Sequence, residues 1–179
     1  MTKDPTSDSE LQRLAMRVGA LLIDSERRIV TAESCTGGWI AKVMTDIPGS
    51  SSWFLGGVVA YSNTLKQSLL GVLPSTLVAH GAVSEAAARE MAIGALETLG
   101  GQFAIAVTGI AGPDGGSPAK PVGLTYVAVA DAVGVAVRRH VWNGDRSDNK
   151  RRSAEAALDL LLERIDAADA SSEAATESG

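Results

Sequence analysis

The stretch TAESCTGGWIA at residues 31–41 decides the fold that the sequence predicts. It follows the apolar pair Ile29-Val30, which is typical of the end of a short buried strand. It leads into Trp39, Ile40 and Val43, whose spacing is helical. A strand therefore passes into a helix here, and repeated units of this kind build α/β domains.

The junction itself is rich in hydroxyl groups and glycines. Ser34, Thr36, Gly37 and Gly38 place hydroxyls and open backbone N–H groups at the start of the helix, where partial positive charge favours an anion. One interpretation is a pocket for a phosphate or a carboxylate. The other is an ordinary helix cap with glycines for close packing, and spacing alone favours neither.

Composition limits the class of protein. The chain has 179 residues, 45% of them hydrophobic, which suits one domain with a sizeable core. A net charge of −5 argues against sequence-independent binding of nucleic acid, so we expect a small-molecule partner. The single cysteine, Cys35, excludes an intrachain disulfide and a Cys-rich zinc site. The sequence has no apolar run of bilayer length and no signal-peptide pattern, so we expect a cytoplasmic protein without membrane contact.

Hydrophobic spacing and turn residues predict the other elements of the first half. Residues 1–8 are polar and are expected to be loose, and a capping box of Ser9 and Gln12 begins an amphipathic helix that ends near residue 28. The elements expected next are a buried strand or strand pair at 53–61, a short helix at 62–70, a connector at 74–81, and a helix that Ser84 caps and Gly100-Gly101 ends.

The second half predicts a mixed sheet. Residues 103–108 are apolar throughout, as in a central strand, and a Gly- and Pro-rich loop follows at 109–118. An antiparallel hairpin at 122–130 and 134–142 precedes a last helix from Arg146 to about Ala167, and we expect disorder from residue 168 to residue 179. The predicted fold is α/β, a three-layer α/β/α sandwich with a mixed β-sheet, in one domain at 9–167.

Candidate catalytic residues lie where the predicted strands end. Ligands of such folds gather at the C-terminal ends of strands, which here present Glu33-Ser34, Tyr61 and Thr108-Gly109. Ser51, in a loop after a glycine, could meet Tyr61 and Lys66 around one substrate carbonyl. A lysine accepts the serine proton only if its pKa falls from about 10.4 towards 7, about 4 kcal/mol, which requires an apolar pocket. The alternative is a capping serine, a half-buried tyrosine and a surface lysine.

Other chemistries have weaker signals. Cys35 would need His80 or His140 as its base, and no motif places either histidine beside it. Arg146, in the turn before the last helix, and the cations that follow it either bind an anionic substrate group or are solvated charges on the outer face. The sequence has no Walker-type loop and no metal-ligand spacing, so we expect no triphosphate hydrolysis, no metal and no cofactor.

Four motifs occur together in a specific order. They are Ala32-Glu-Ser-Cys-Thr-Gly-Gly38, Pro48-Gly-Ser-Ser51 with Gly56-Gly-Val-Val-Ala-Tyr-Ser-Asn63, Gly81-Ala-Val-Ser84, and Val107-Thr-Gly-Ile-Ala-Gly-Pro-Asp-Gly-Gly116. Over about residues 9–165 the sequence closely resembles the C-terminal domain of the CinA competence/damage-inducible family, the nicotinamide-mononucleotide deamidase. It resembles the stand-alone form, because the N-terminal domain of long members, similar to molybdopterin-binding proteins, has no counterpart here.

The resemblance implies an amidohydrolase of pyridine-nucleotide salvage that converts nicotinamide mononucleotide to nicotinic acid mononucleotide and ammonia. The family's serine, tyrosine and lysine match Ser51, Tyr61 and Lys66, which implies that Ser51 attacks the carboxamide while Lys66 accepts its proton; Ser34 is the alternative nucleophile. The substrate-binding candidates, from the resemblance or from the junction and strand ends, are Glu33, Ser34, Thr36, Gly37, Thr108, Gly109 and Arg146.

Two other functions remain open. One is a module that binds a pyridine nucleotide without converting it. The other is an interaction role connected with competence or DNA damage, for which this acidic chain offers no basic patch. Small-residue helix faces and exposed strand edges favour a homo-oligomer.

Overall fold

The strand–helix junction predicted at residues 31–41 is present in the computed structural model, which describes residues 7–177 and the side chains as far as residue 171. The helices are α1 (Asp8–Asp24), α2 (Trp39–Thr45), α3 (Asn63–Leu70), α4 (Pro74–His80), α5 (Glu85–Leu99) and α6 (Arg146–Glu177). The strands are β1 (Ile29–Glu33), β2 (Phe54–Val59), β3 (Phe103–Gly109), β4 (Leu124–Ala130) and β5 (Val135–Val141), and one 3₁₀ turn (Ser50–Ser52) precedes β2.

The five strands form one mixed sheet in the order β2-β1-β3-β4-β5. β1 is parallel to β2 and β3, whereas β4 is antiparallel to both of its neighbours. α1, α2 and α6 bury one apolar cluster against the sheet, and α3 and α5 bury a second cluster on the other face. This is the predicted three-layer α/β/α sandwich, and the predicted central strand and hairpin are confirmed as β3 and β4–β5.

Strand directions place the candidate residues at two different ends of the sheet. The C-terminal ends of β1, β2 and β3 lie at one end, because these three strands are parallel. The same end receives the start of α6, since β5 finishes there. We call it the catalytic end of the sheet. The 3₁₀ turn that contains Ser51 precedes β2 and therefore lies at the opposite end.

Four details of the predicted elements are wrong. The cap of α1 is Ser7, whose Oγ accepts the N–H of Glu10 at 3.2 Å, and α1 ends at Asp24, not near residue 28. The expected connector at 74–81 is the helix α4, whose start is capped by Glu90. The last helix does not end near residue 167 but continues to Glu177, so residues 168–177 are helical where disorder was expected. Residues 1–6, expected to be loose, and 178–179 lie outside the described residues.

β2 is a half-exposed edge strand, not the buried strand or strand pair that was expected. Its burial alternates along the strand, with Leu55, Gly57 and Val59 on the exposed positions. Gly57 is required there because a Cβ atom would lie 2.0 Å from the Thr31 Oγ1 atom of β1.

Across the described residues, no helix is long and apolar enough to cross a membrane.

Candidate active site

Ser34 and Lys66 form the centre of the site at the catalytic end of the sheet. Lys66 lies on α3, and its Nζ atom is 2.8 Å from the Oγ atom of Ser34, the residue that directly follows β1. The same Nζ contacts the carbonyl oxygens of Ala60 at 2.8 Å and of Tyr61 at 3.3 Å. Only 2% of Lys66 is exposed to solvent. The lysine is thus held by one hydroxyl and two carbonyl groups.

The surroundings of Lys66 favour its neutral form. Burial lowers the pKa of the amine, and the nearby Cys35 thiol only partly opposes this effect. None of the ion pairs between described side chains includes Lys66. A neutral amine donates two hydrogens and accepts one. It can therefore donate to both carbonyl groups and direct its lone pair at the Ser34 hydroxyl.

The side-chain carboxylate of Glu33, the last residue of β1, lies against the start of α2, where one interpretation of the sequence was a pocket for a ligand anion. Its carboxylate accepts the backbone N–H groups of Gly38 at 3.1 Å, Ile40 at 3.1 Å and Ala41 at 2.8 Å. The helix end is therefore neutralised by the protein itself. Of the two interpretations, the structure supports the helix cap: Glu33 caps α2 and fixes the turn that carries Ser34.

Thr36 and Gly37 lie in that turn and differ in their surroundings. Thr36 is fully buried, and its Oγ1 atom has no hydrogen-bond partner within the structure. Gly37 is exposed, with a positive φ of 65°, and a Cβ atom on it would lie 3.5 Å from the Nζ of Lys150. Their assignment to substrate binding remains a prediction.

Tyr61 and Arg146 join β2 to α6 across the mouth of the site. One guanidinium nitrogen of Arg146 donates to the Tyr61 Oη at 3.1 Å, and the other donates to the Gly112 carbonyl at 2.7 Å. Tyr61 is 59% exposed, so this bridge lies at the surface. Beside it, Arg146 lines a cavity of about 570 Å³ together with Ala111, Pro113, Val122, Gly144, Asp145 and Ser147.

Thr108 and Gly109, at the end of β3, serve internal packing. The Thr108 hydroxyl is buried and donates to the Ala82 carbonyl at 2.8 Å. A Cβ atom on Gly109 would lie 2.7 Å from the Leu124 carbonyl oxygen and 3.0 Å from the Cys35 sulfur. Because these contacts already use the polar and open surfaces of both residues, the structure offers no direct support for their predicted contact with substrate.

Ser51 is not close to Tyr61 or Lys66 within one chain. It lies on the exposed 3₁₀ turn before β2, whereas Tyr61 follows the end of the same strand. Six residues of extended strand span roughly 20 Å, so no local movement brings Ser51 to Lys66. The predicted trio of Ser51, Tyr61 and Lys66 is wrong for a single chain, and Ser34 takes the place of Ser51 as the partner of Lys66.

The alternative nucleophile Cys35 is held inactive by its environment. Burial raises the pKa of its thiol to about 12, and neither histidine contributes to that shift. His140 stacks on Trp142 at 4.6 Å, and the His80 carbonyl binds the Lys120 side chain. A thiol without a base beside it is a poor nucleophile at neutral pH.

Sequence reasoning missed two residues that shape the site. Asn149, fully buried in the first turn of α6, donates to the Ala111 carbonyl and accepts the Gly144 N–H, each at 3.0 Å. Glu90 caps α4 from the following helix. An Asn among charged residues was the only local signal for the first, and nothing local indicated the second.

Comparison with known proteins places the chain in a family. The model of the CinA C-terminal domain matches residues 11–165. The nicotinamide-nucleotide amidohydrolase PncC of Escherichia coli (strain K12) is 49% identical over 160 residues, which cover 89% of this chain and 97% of that protein. The CinA-like protein of Chlorobaculum tepidum is 48% identical over 165 residues, covering 89% of this chain and 38% of that protein.

Solved structures show the same fold. The competence/damage inducible protein CihA from Agrobacterium tumefaciens superposes with a TM-score of 0.85 at 39% identity, covering 90% of this chain and 98% of that chain. A competence or damage-inducible protein from Enterobacter asburiae superposes with a TM-score of 0.82 at 29% identity, covering 89% of this chain and 99% of that chain. On both sequence and structure, the chain belongs to the CinA C-terminal domain family.

Proposed function

We propose that this chain is a nicotinamide-nucleotide amidohydrolase that converts nicotinamide mononucleotide to nicotinic acid mononucleotide and ammonia. The observation that carries the proposal is the buried Ser34–Lys66 pair, with 2.8 Å between Oγ and Nζ. The name of the relative from Escherichia coli supports the substrate class, because that protein is 49% identical across nearly its whole length.

In the first step, Ser34 attacks the carboxamide carbon of the bound nucleotide. The Ser34 proton passes to the neutral Lys66 amine as the Oγ–C bond forms, which gives a tetrahedral intermediate with a negative oxygen. The N–H groups of Gly37 and Gly38 already bind Ser34 O and Glu33, so the preceding N–H groups of Cys35 and Thr36 are the ones left to hold that oxygen.

In the second step, Lys66 returns its proton to the leaving nitrogen. The C–N bond breaks, ammonia departs and Ser34 carries the nicotinoyl group as an ester. A water molecule then loses a proton to the neutral amine and attacks the ester. Lys66 returns that proton to the Ser34 Oγ atom as the ester bond breaks, which releases nicotinic acid mononucleotide and free Ser34. One buried lysine serves both halves of the reaction, because it is neutral again after ammonia leaves.

Cations beside the mouth are suited to the single phosphate of the substrate. Arg146 lines the 570 Å³ cavity, and Lys150 stands next to Gly37, with its Nζ 5.2 Å from the Trp39 ring centre. A guanidinium group binds a phosphate with two parallel hydrogen bonds. Arg146 is free to make them once it releases Tyr61 or Gly112. We therefore assign the phosphate to Arg146, with Lys150 as a second positive charge.

Incubation of the protein with nicotinamide mononucleotide tests this function. We expect equal amounts of ammonia and nicotinic acid mononucleotide, and a much lower kcat/KM with nicotinamide riboside, which lacks the phosphate. The variant Lys66→Met should bind the nucleotide without releasing ammonia. If the wild-type protein also binds the nucleotide but releases no ammonia, the proposal fails and the chain is a binding module.

A further inference from the structure

The cavity of about 570 Å³ beside the catalytic end of the sheet is lined by two segments of the chain that are far apart in sequence. One is residues 111–113, in the loop that follows β3, and the other is residues 144–147, where the turn after β5 leads into α6. We call them the loop segment and the turn segment. The shape of the cavity therefore depends on the contacts that hold these two segments together.

Two side-chain hydrogen bonds between described residues join the loop segment to the start of α6. Arg146 donates to the Gly112 carbonyl at 2.7 Å, and the side-chain amide of Asn149 donates to the Ala111 carbonyl at 3.0 Å. The carbonyl oxygen of the same amide accepts the Gly144 N–H, also at 3.0 Å. A single amide group thus contacts the loop segment with one atom and the turn segment with the other.

The two donors differ in whether a ligand can reach them. Arg146 is charged, exposed and part of the cavity lining, so a phosphate can take its hydrogen bonds away from Gly112. Asn149 is neutral and only 1% exposed, and both of its polar side-chain atoms are paired within the protein. When Arg146 turns to a phosphate and releases Gly112, the bond from Asn149 to Ala111 still holds the loop segment to α6.

We propose that Asn149 is a positioning residue for the substrate phosphate, because its buried amide keeps the loop segment and the turn segment at a fixed spacing while Arg146 exchanges partners. The inference rests on the proposed function, in which Arg146 binds that phosphate. The turn segment has further support from Asp145, whose Oδ1 accepts the Asp148 N–H at 2.8 Å. The spacing therefore depends most on the bond that Asn149 donates to the loop segment.

The variant Asn149→Asp tests that bond, since it keeps the acceptor for Gly144 and replaces the donor to Ala111 with a carboxylate oxygen. We expect KM for nicotinamide mononucleotide to rise about tenfold. KM for nicotinamide riboside, which lacks the phosphate, and kcat should change by less than about twofold. Asn149→Ala, which removes both contacts, should show the same pattern.

The matched control is Ser153→Ala, at a buried position of α6 where the hydroxyl accepts the Trp142 indole N–H at 3.0 Å. This variant should lower the melting temperature and leave both KM values unchanged. An unchanged KM for the mononucleotide in Asn149→Asp, or an equal rise for the riboside, would overturn the inference.

A double variant separates positioning from a general loss of structure. In the Arg146→Met background, Asn149→Asp should raise KM for the mononucleotide by less than about twofold further, because no guanidinium is left to position. A residue that only stabilises the fold would act independently of Arg146. Effects of the two substitutions that multiply in full would therefore overturn the inference.

Two further measurements keep the inference testable if the Asn149 variants do not fold or the proposed function fails. In the wild-type protein, hydrogen exchange at the Gly144 N–H should stay slow when nicotinamide mononucleotide saturates the site, and faster exchange on binding would overturn the inference. A wild-type protein that releases no ammonia would refute the proposed function. Calorimetric titration of the mononucleotide into the wild type and Asn149→Asp then decides the inference, and equal affinities, or no binding to either protein, would overturn it.

Discussion

The Nζ atom of Lys66 lies 2.8 Å from the Oγ atom of Ser34, although 32 positions separate the two residues in sequence. The contact joins α3 to the end of β1 and is buried from solvent. Lys66 has two carbonyl groups as its other partners, so the hydroxyl of Ser34 is the only proton donor that these bonds bring to the amine. The following predictions depend on this pair and on the groups that position it.

The activity should depend on the protonation of Lys66. Because burial lowers the pKa of the amine, kcat/KM should rise with pH to a plateau. The midpoint of this rise should lie below the ordinary lysine pKa of about 10.4. Rates measured from about pH 6 to about pH 10 give this midpoint. The control Lys42→Met removes an exposed lysine and should leave the profile unchanged. A midpoint at or above the ordinary value would exclude Lys66 as the base.

The stability should depend on pH through the same residue. The folded protein has a lowered Lys66 pKa, so the unfolded chain binds more protons between that pKa and the ordinary lysine value. The free energy of unfolding attributable to Lys66 therefore rises as the pH rises through this window. Urea unfolding at several pH values should show a smaller rise for Lys66→Met than for the wild-type protein. Equal slopes for the two proteins would contradict the predicted burial effect.

Glu33 should be important for stability because it caps α2. Replacing Glu33 with Ala leaves three backbone N–H groups without their acceptor, and we expect a loss of about 2–3 kcal/mol in the free energy of unfolding. Chemical denaturation measures this loss. The control Glu97→Ala, at an exposed position of α5, should change it by no more than about 0.5 kcal/mol. Similar values for the two variants would show that Glu33 is not a structural cap.

Arg146 should act mainly on substrate affinity. Removing its two charge-assisted hydrogen bonds with Arg146→Met should raise KM for nicotinamide mononucleotide by roughly 10-fold to 100-fold, with a smaller effect on kcat. The control Arg13→Met replaces an exposed arginine of α1 and should leave KM unchanged. If KM for nicotinamide riboside rises as much as KM for the mononucleotide, Arg146 does not bind the phosphate.

The sequence predicted the elements that depend on local spacing. The β1–α2 junction, the apolar strand β3 and the β4–β5 hairpin each have a pattern within about ten residues, and each was confirmed. The helix α4 has local boundary signals, Pro74 at its first position and Gly81 directly after its end, which the reading of 74–81 as a connector overlooks. The contacts of Glu90 from α5, which hold the start of α4, leave no signal in the sequence of α4 itself.

The site was predicted in part, for a reason that lies in strand direction. Ser34, Tyr61 and Lys66 were placed at one end of the sheet, as observed, because they follow the ends of β1 and β2. The loop after a glycine and the family resemblance group Ser51 with them, yet β2 runs between Ser51 and Tyr61. The Glu33 cap depends on where its side chain turns after β1, which spacing alone does not reveal.

The most direct test of the account is a comparison of kcat/KM for ammonia release between Ser34→Ala and Ser51→Ala, each with a measured melting temperature. We predict that Ser34→Ala reduces kcat/KM by at least about 1,000-fold with an unchanged fold, since the attacking oxygen is gone. Ser51→Ala should retain activity within about tenfold of the wild type, because Ser51 lies on an exposed turn at the opposite end of the sheet. An active Ser34→Ala enzyme beside an inactive Ser51→Ala enzyme would contradict the account.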